Sequence, residues 1–158
     1  MKVFLDLDGV FADFDQKVDE LTGNKYRERH SNDIWKVLDK IPNLFSQLRL
    51  IEGSLQIITM LQHHDLEFLT ALPEPTGFLV TAATDKHGWI YNNISRRIRV
   101  NTCLGGKNKW KYLEYYPGAV LIDDYDRNIN LWNEHGGLGI LHTDVPSTIE
   151  KLIKLGLT

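Results

Sequence analysis

One cysteine, Cys103, stands in a chain of 158 residues, so no disulfide can close within it. A lone thiol fits a reducing compartment. Long apolar runs are missing as well: no stretch approaches the roughly 18 residues of a membrane helix. The apolar start is broken by charge at Asp6, which argues against a secretory leader. These absences lead to the expectation of a cytoplasmic protein with no membrane partner. Positive charge is not in excess either. Lys and Arg number 18 against 21 acidic residues, a formal net charge of −3, which argues against a duplex nucleic acid partner. There is no internal repeat, low-complexity tract or linker, and the length suits a single domain.

What is present is alternation. Short apolar runs at 3–8, 66–72, 98–104, 119–122 and 138–141 read as buried strands. Between them lie helix-like stretches at 54–64, 85–95, 107–115 and 127–135, and a last one at 146–155. Ser54 reads as an N-cap, Pro146 suits a first turn and Gly156 a C-terminal stop. Buried strands alternating with helices predict an α/β fold: a three-layer, Rossmann-like parallel sheet. One segment departs from the pattern. About 45 residues separate the first strand from the helix at Ser54, whereas crossover loops usually take about 2–6. Helical patterns at 13–21, 33–40 and 43–48 fill that gap. The reading is a small helical cap at about 14–50, inserted after strand one, on a core of about 1–13 and 51–158. Such an insert leaves the sheet at the carboxyl end of the strand, where open α/β sheets bind ligands.

The chemistry centres on carboxylates. Asp6 and Asp8 are two apart, so in a strand they face the same way, and Gly9 then permits a tight turn. Two adjacent carboxylates repel and call for a cation or a shared proton. A hard divalent ion with oxygen ligands, Mg²⁺ above all, suits phosphate chemistry. Asp123 and Asp124 form a second acidic pair directly after a buried strand. If strands one and four are neighbours, four carboxylates converge at one end of the sheet. Taken singly, each pair also reads as an ordinary turn or helix start.

Asp6-Leu7-Asp8-Gly9-Val10 resembles the first motif of the haloacid dehalogenase superfamily, most of whose members are phosphatases. Thr70 matches its second-motif Thr/Ser, and Asp123-Asp124, with Asn128 following, resembles its fourth motif. The third would be a lysine before strand four. Lys107, Lys109 and Lys111 compete for it, and Lys109 is favoured because the resemblance places the lysine in the first turn. The stretch Asp6 to Phe14 is closest to the 5′(3′)-deoxyribonucleotidase branch, with Leu121-Ile122-Asp123-Asp124 and the segment Asp85-Lys86, Trp89-Ile90 in support. Thr70-Ala71-Leu72-Pro73 departs from that branch's Thr-Ser-Pro, and no proline precedes Gly53.

The resemblance implies roles. Asp6 would be the nucleophile and Asp8 the general acid and base. Mg²⁺ would be held by Asp6, the Asp8 backbone carbonyl and Asp124, with Asp123 orienting a metal-bound water or the lysine. Thr70, the Ala71 amide and Lys109 would bind the phosphoryl oxygens, and Phe14 would stack on a nucleobase. The partner would be a small phosphate ester, a nucleoside monophosphate first, and a homodimer is compatible with it. A phosphatase of another ester such as a sugar phosphate is the alternative. A receiver-like phospho-acceptor is disfavoured by Asp8 and by the insert. A binding protein without turnover ranks lower still.

Overall fold

The computed structural model describes residues 1–23 and 32–158. The middle of the expected cap, residues 24–31, lies outside the described residues. The chain runs β1 (Lys2–Leu5), α1 (Phe14–Thr22), α2 (Asn32–Leu38), a 3₁₀ turn (Leu44–Gln47), α3 (Leu55–Met60) and β2 (Asp65–Leu72). A second 3₁₀ turn (Gly77–Thr81) leads into α4 (Ala82–Asn93) and β3 (Arg99–Leu104). A long 3₁₀ segment (Gly106–Glu114), β4 (Val120–Asp123), α5 (Asp126–Glu134), β5 (Leu138–Leu141) and α6 (Val145–Lys154) complete it.

The five strands are parallel and ordered β3-β2-β1-β4-β5. Alternation along the strands divides the core into two layers of contact. Val3, Leu5, Phe68, Val120 and Ile122 point to one face and pack in one cluster with residues of α3, α4 and α6. Phe4, Leu69 and Leu121 point to the other and meet Leu113, Ile129 and Trp132. Both faces are therefore covered, as an all-parallel sheet requires. Trp132 is fully buried because its indole N–H donates to the Ala119 carbonyl at 2.8 Å.

Order in the chain reverses beside β1. The chain builds β1, β2 and β3 outward in one direction, then returns to place β4 against the opposite side of β1. Leu5 is in register with Phe68 of β2 and Ile122 of β4. This is a topological switch point, and the carboxyl ends of β1 and β4 meet there.

The insert between β1 and α3 has no core of its own among the described residues. Phe14, Val18, Ile34, Leu38, Leu44 and Phe45 belong to the same cluster as Val3 and Leu5. Its two ends are held together by backbone bonds from Asp13 N–H to Arg49 O (2.8 Å) and from Ile51 N–H to Phe11 O (2.7 Å). Asp13 caps α1 by accepting from the Gln16 amide at 3.0 Å. At the far side the Phe78 amide donates to Asp39 O at 2.7 Å. Gly77 makes that approach feasible: its φ is +51°, and a Cβ there would lie 2.3 Å from Asp39 O.

Several local readings need correction. Strand one ends at Leu5, not at residue 8. Asp6 N–H makes one more bond, to Ile122 O at 2.9 Å, and then the amides of Phe11 and Ala12 both turn back onto Leu7 O. The segment 107–115 is 3₁₀ rather than α-helical, as is 43–48. Ser54 is no side-chain cap; its hydroxyl donates to Ile51 O at 2.7 Å instead. α3 is accordingly short. Among the described residues no helix is long and apolar enough to cross a membrane.

Candidate active site

Asp6 follows β1 and Asp123 ends β4, so the strand order alone makes them neighbours. Lys109, 1% exposed, inserts its ammonium between them, 2.8 Å from Asp6 Oδ1 and 2.6 Å from Asp123 Oδ2. Of the three lysines on that segment, Lys107 is exposed at the cavity rim and Lys111 is exposed outside it. The 3₁₀ geometry and the turn at Gly105 (φ +68°) aim Lys109 inward.

Asp123 is wholly buried and its lone pairs are occupied. Oδ1 accepts the Tyr125 amide at 2.8 Å, and the Asn128 amide group reaches Oδ1 at 3.2 Å and Oδ2 at 3.0 Å. Gly106 packs against Asn128 so closely that a Cβ would lie 2.6 Å from its amide. Asp6, Asp123 and Asp124 bring carboxylate oxygens within 4.8 Å of one another, a set that could hold a metal ion. Burial first, and the Asp123 carboxylate next, push the Asp6 carboxyl up to about 8 against the pull of Lys109. Lys109 itself is raised: its acidic partners outweigh its burial, so it stays charged. With Asp6 ionised, three carboxylates and one ammonium leave a surplus of negative charge that a divalent cation fits.

Asp8 lies apart from that trio. Its Oδ2 accepts from Lys86 Nζ at 2.6 Å. The same ammonium donates to Ala71 O at 2.5 Å and lies 3.2 Å from Thr70 Oγ1. Thr70 is fully buried, while Ala71 lines the cavity with Asp6, Asp8 and Asp124.

The cavity measures about 860 Å³ and opens between the sheet ends and the insert. Phe14, Trp35 and Phe45 wall it on the insert side. Their rings are near-parallel: Phe14 lies 5.9 Å from Trp35 and 6.0 Å from Phe45 between centroids. Phe14 is only 5% exposed, so it packs the insert as well as facing the cavity. Lys86 had no assigned role in the sequence, and its only signal there was its place in Asp85-Lys86. Asn128 was visible only as a residue following the second acidic pair.

No family model matches the chain, and no curated protein does. Solved structures do. A hydrolase from Streptococcus pneumoniae TIGR4 superposes with a TM-score of 0.54 at 15% identity, covering 96% of this chain and 97% of that one. A D,D-heptose 1,7-bisphosphate phosphatase from B. bronchiseptica, complexed with magnesium and phosphate, gives 0.50 at 18% identity, over 89% and 80%. At such identities what is shared is the fold: a parallel α/β sheet of Rossmann-like architecture.

Proposed function

We propose that this chain is a Mg²⁺-dependent phosphomonoesterase of the haloacid dehalogenase type, working through an aspartyl-phosphate on Asp6. The observation that carries the reading is the convergence of Asp6, Asp123, Asp124 and Lys109 where β1 and β4 end, facing a cavity under an insert. Mg²⁺, held by Asp6, Asp124 and the Asp8 backbone carbonyl, would neutralise the phosphate and keep Asp6 ionised. Asp6 attacks phosphorus as the ester P–O bond breaks, and Asp8 gives its proton to the departing alkoxide. Asp8 then takes a proton from water, the water oxygen bonds to phosphorus, and the Asp6–phosphorus bond breaks. The net change is ester plus water to alcohol plus inorganic phosphate. Lys109, Thr70 and the Ala71 amide would hold the phosphoryl oxygens, and Asp123 would orient Lys109.

For substrate, a (deoxy)nucleoside monophosphate is supported by the aromatic wall of Phe14, Trp35 and Phe45, since base stacking contributes about 1–3 kcal/mol per base. A sugar phosphate has comparable support from the likeness to a heptose bisphosphate phosphatase. Phosphate release from nucleoside monophosphates and sugar phosphates, each with Mg²⁺ and with chelator, separates them. Mg²⁺-dependent release is expected, abolished in Asp6→Asn. Release favouring deoxynucleotides supports the nucleotidase, and release from sugar phosphates alone replaces the substrate. No release from any ester, or full activity in Asp6→Asn, would refute the mechanism.

A further inference from the structure

Lys86 is a lysine in the wrong place for a solvated cation. It sits on α4, 1% exposed, with its ammonium on Asp8 Oδ2, Ala71 O and Thr70 Oγ1. The Phe45 ring lies over it at 4.3 Å from the centroid. A buried ammonium persists only where its protons find acceptors, and this one has three oxygens and an aromatic face. The consequence falls on Asp8. Oδ2 is committed to Lys86, whereas Oδ1 is buried and finds no hydrogen-bond partner among the described residues. Native structures leave few buried acceptors unpaired, and one beside a cavity is open to a group bound there.

We infer that Lys86 is a positioning residue that clamps Asp8 by Oδ2 and thereby assigns proton exchange with the substrate to Oδ1. The inference rests on the hydrolysis proposed above. Oδ1–H gives its proton to the ester oxygen as the P–O bond breaks, and Oδ1 later takes one from the attacking water. Lys86 keeps its own protons throughout. It acts by holding a rotamer, so its loss slows hydrolysis of the aspartyl-phosphate alike for every ester, and slows departure of the alcohol only where the leaving group needs a proton.

Two esters test this: glycerol phosphate, whose alkoxide must be protonated, and p-nitrophenyl phosphate, whose phenolate need not be. Lys86→Met keeps the length and removes the charge. Its kcat/KM, which reports the steps up to departure of the alcohol, is expected to fall by about 10²-fold on glycerol phosphate, within the range of general acid catalysis, and by less than about tenfold on p-nitrophenyl phosphate. Added to Asp8→Asn, Lys86→Met should cost less than about threefold more, because both changes remove one function. Equal losses of kcat/KM on the two esters, or a multiplicative loss in the double variant, overturn the inference. If circular dichroism shows that Lys86→Met does not fold, the same ratio is read in Lys86→Gln. A wild-type protein that releases phosphate neither from these two esters nor from the nucleotides and sugar phosphates above sinks the hydrolase reading itself; normal wild-type turnover with equal losses of kcat/KM sinks only Lys86.

Discussion

Asp6 and Asp123 share one ammonium: Lys109 Nζ lies 2.8 Å from the first and 2.6 Å from the second. The arrangement ties the ends of two adjacent strands to the segment that precedes β4. Removing the cation would leave two carboxylates facing each other in a buried site.

Lys109→Ala should therefore destabilise the protein by about 3–5 kcal/mol, the usual result of breaking a buried ion pair from one side. Lys107→Ala, at an exposed position, should stay within about 0.5 kcal/mol. Urea unfolding gives both numbers, and turnover should follow the same ranking. The reverse ranking would place the working lysine at 107.

Asp6 governs a pH dependence whose sign is fixed by its environment. Its carboxyl is raised from 3.8 to about 8, so the folded chain holds a proton that the unfolded chain has released. Stability from this group is full below the lower value and is lost as pH rises through the upper one. In chelator, the melting temperature of the wild type relative to Asp6→Asn should thus fall between about pH 4 and about pH 8. A difference that does not change with pH would show that Asp6 titrates normally.

Magnesium should oppose that trend. A cation competes with the proton on Asp6, so the thermal shift produced by Mg²⁺ should grow as pH rises toward about 8. Asp124→Asn should diminish the shift. A pH-independent shift, or one retained in full by Asp124→Asn, would move the cation elsewhere.

Gly106→Ala tests the support behind Asp123. The new methyl would lie 2.6 Å from the Asn128 amide, which must swing away and give up its bonds to Asp123. Lost bonds to a buried carboxylate predict a cost of about 1–3 kcal/mol and slower turnover. Unchanged stability and rate would mean that Asn128 is dispensable.

The strands were legible because each is a short apolar run bounded by turn residues, and a parallel sheet buries both faces of each. The convergence of the carboxylates followed from the conditional that β1 and β4 pair, which they do. Less legible was anything decided by contacts far along the chain. The end of β1 is set by the loop closing on Leu7 O, which the alternation of residues 3–8 cannot announce. The 3₁₀ form of Gly106–Glu114 is likewise tertiary: it sits against α5 and must deliver Lys109 inward. Lys86 was hidden because a lysine in a helix ordinarily reads as solvated, and only folding reveals that Thr70, Ala71 and Asp8 surround it.

The insert's dependence on the main core has a consequence for how variation can act on this protein. Phe14, Ile34 and Phe45 pack in one cluster with Val3 and Leu5, and the Trp89 indole donates to Leu48 O at 2.8 Å across the junction. Residues that shape the cavity wall are therefore the same residues that keep the sheet dry. The described part of the segment is thus built into the main core, and its unfolding should be one cooperative event with that of the sheet. Any retuning of ligand choice through Phe14 or Phe45 must preserve volume in the interior at the same time.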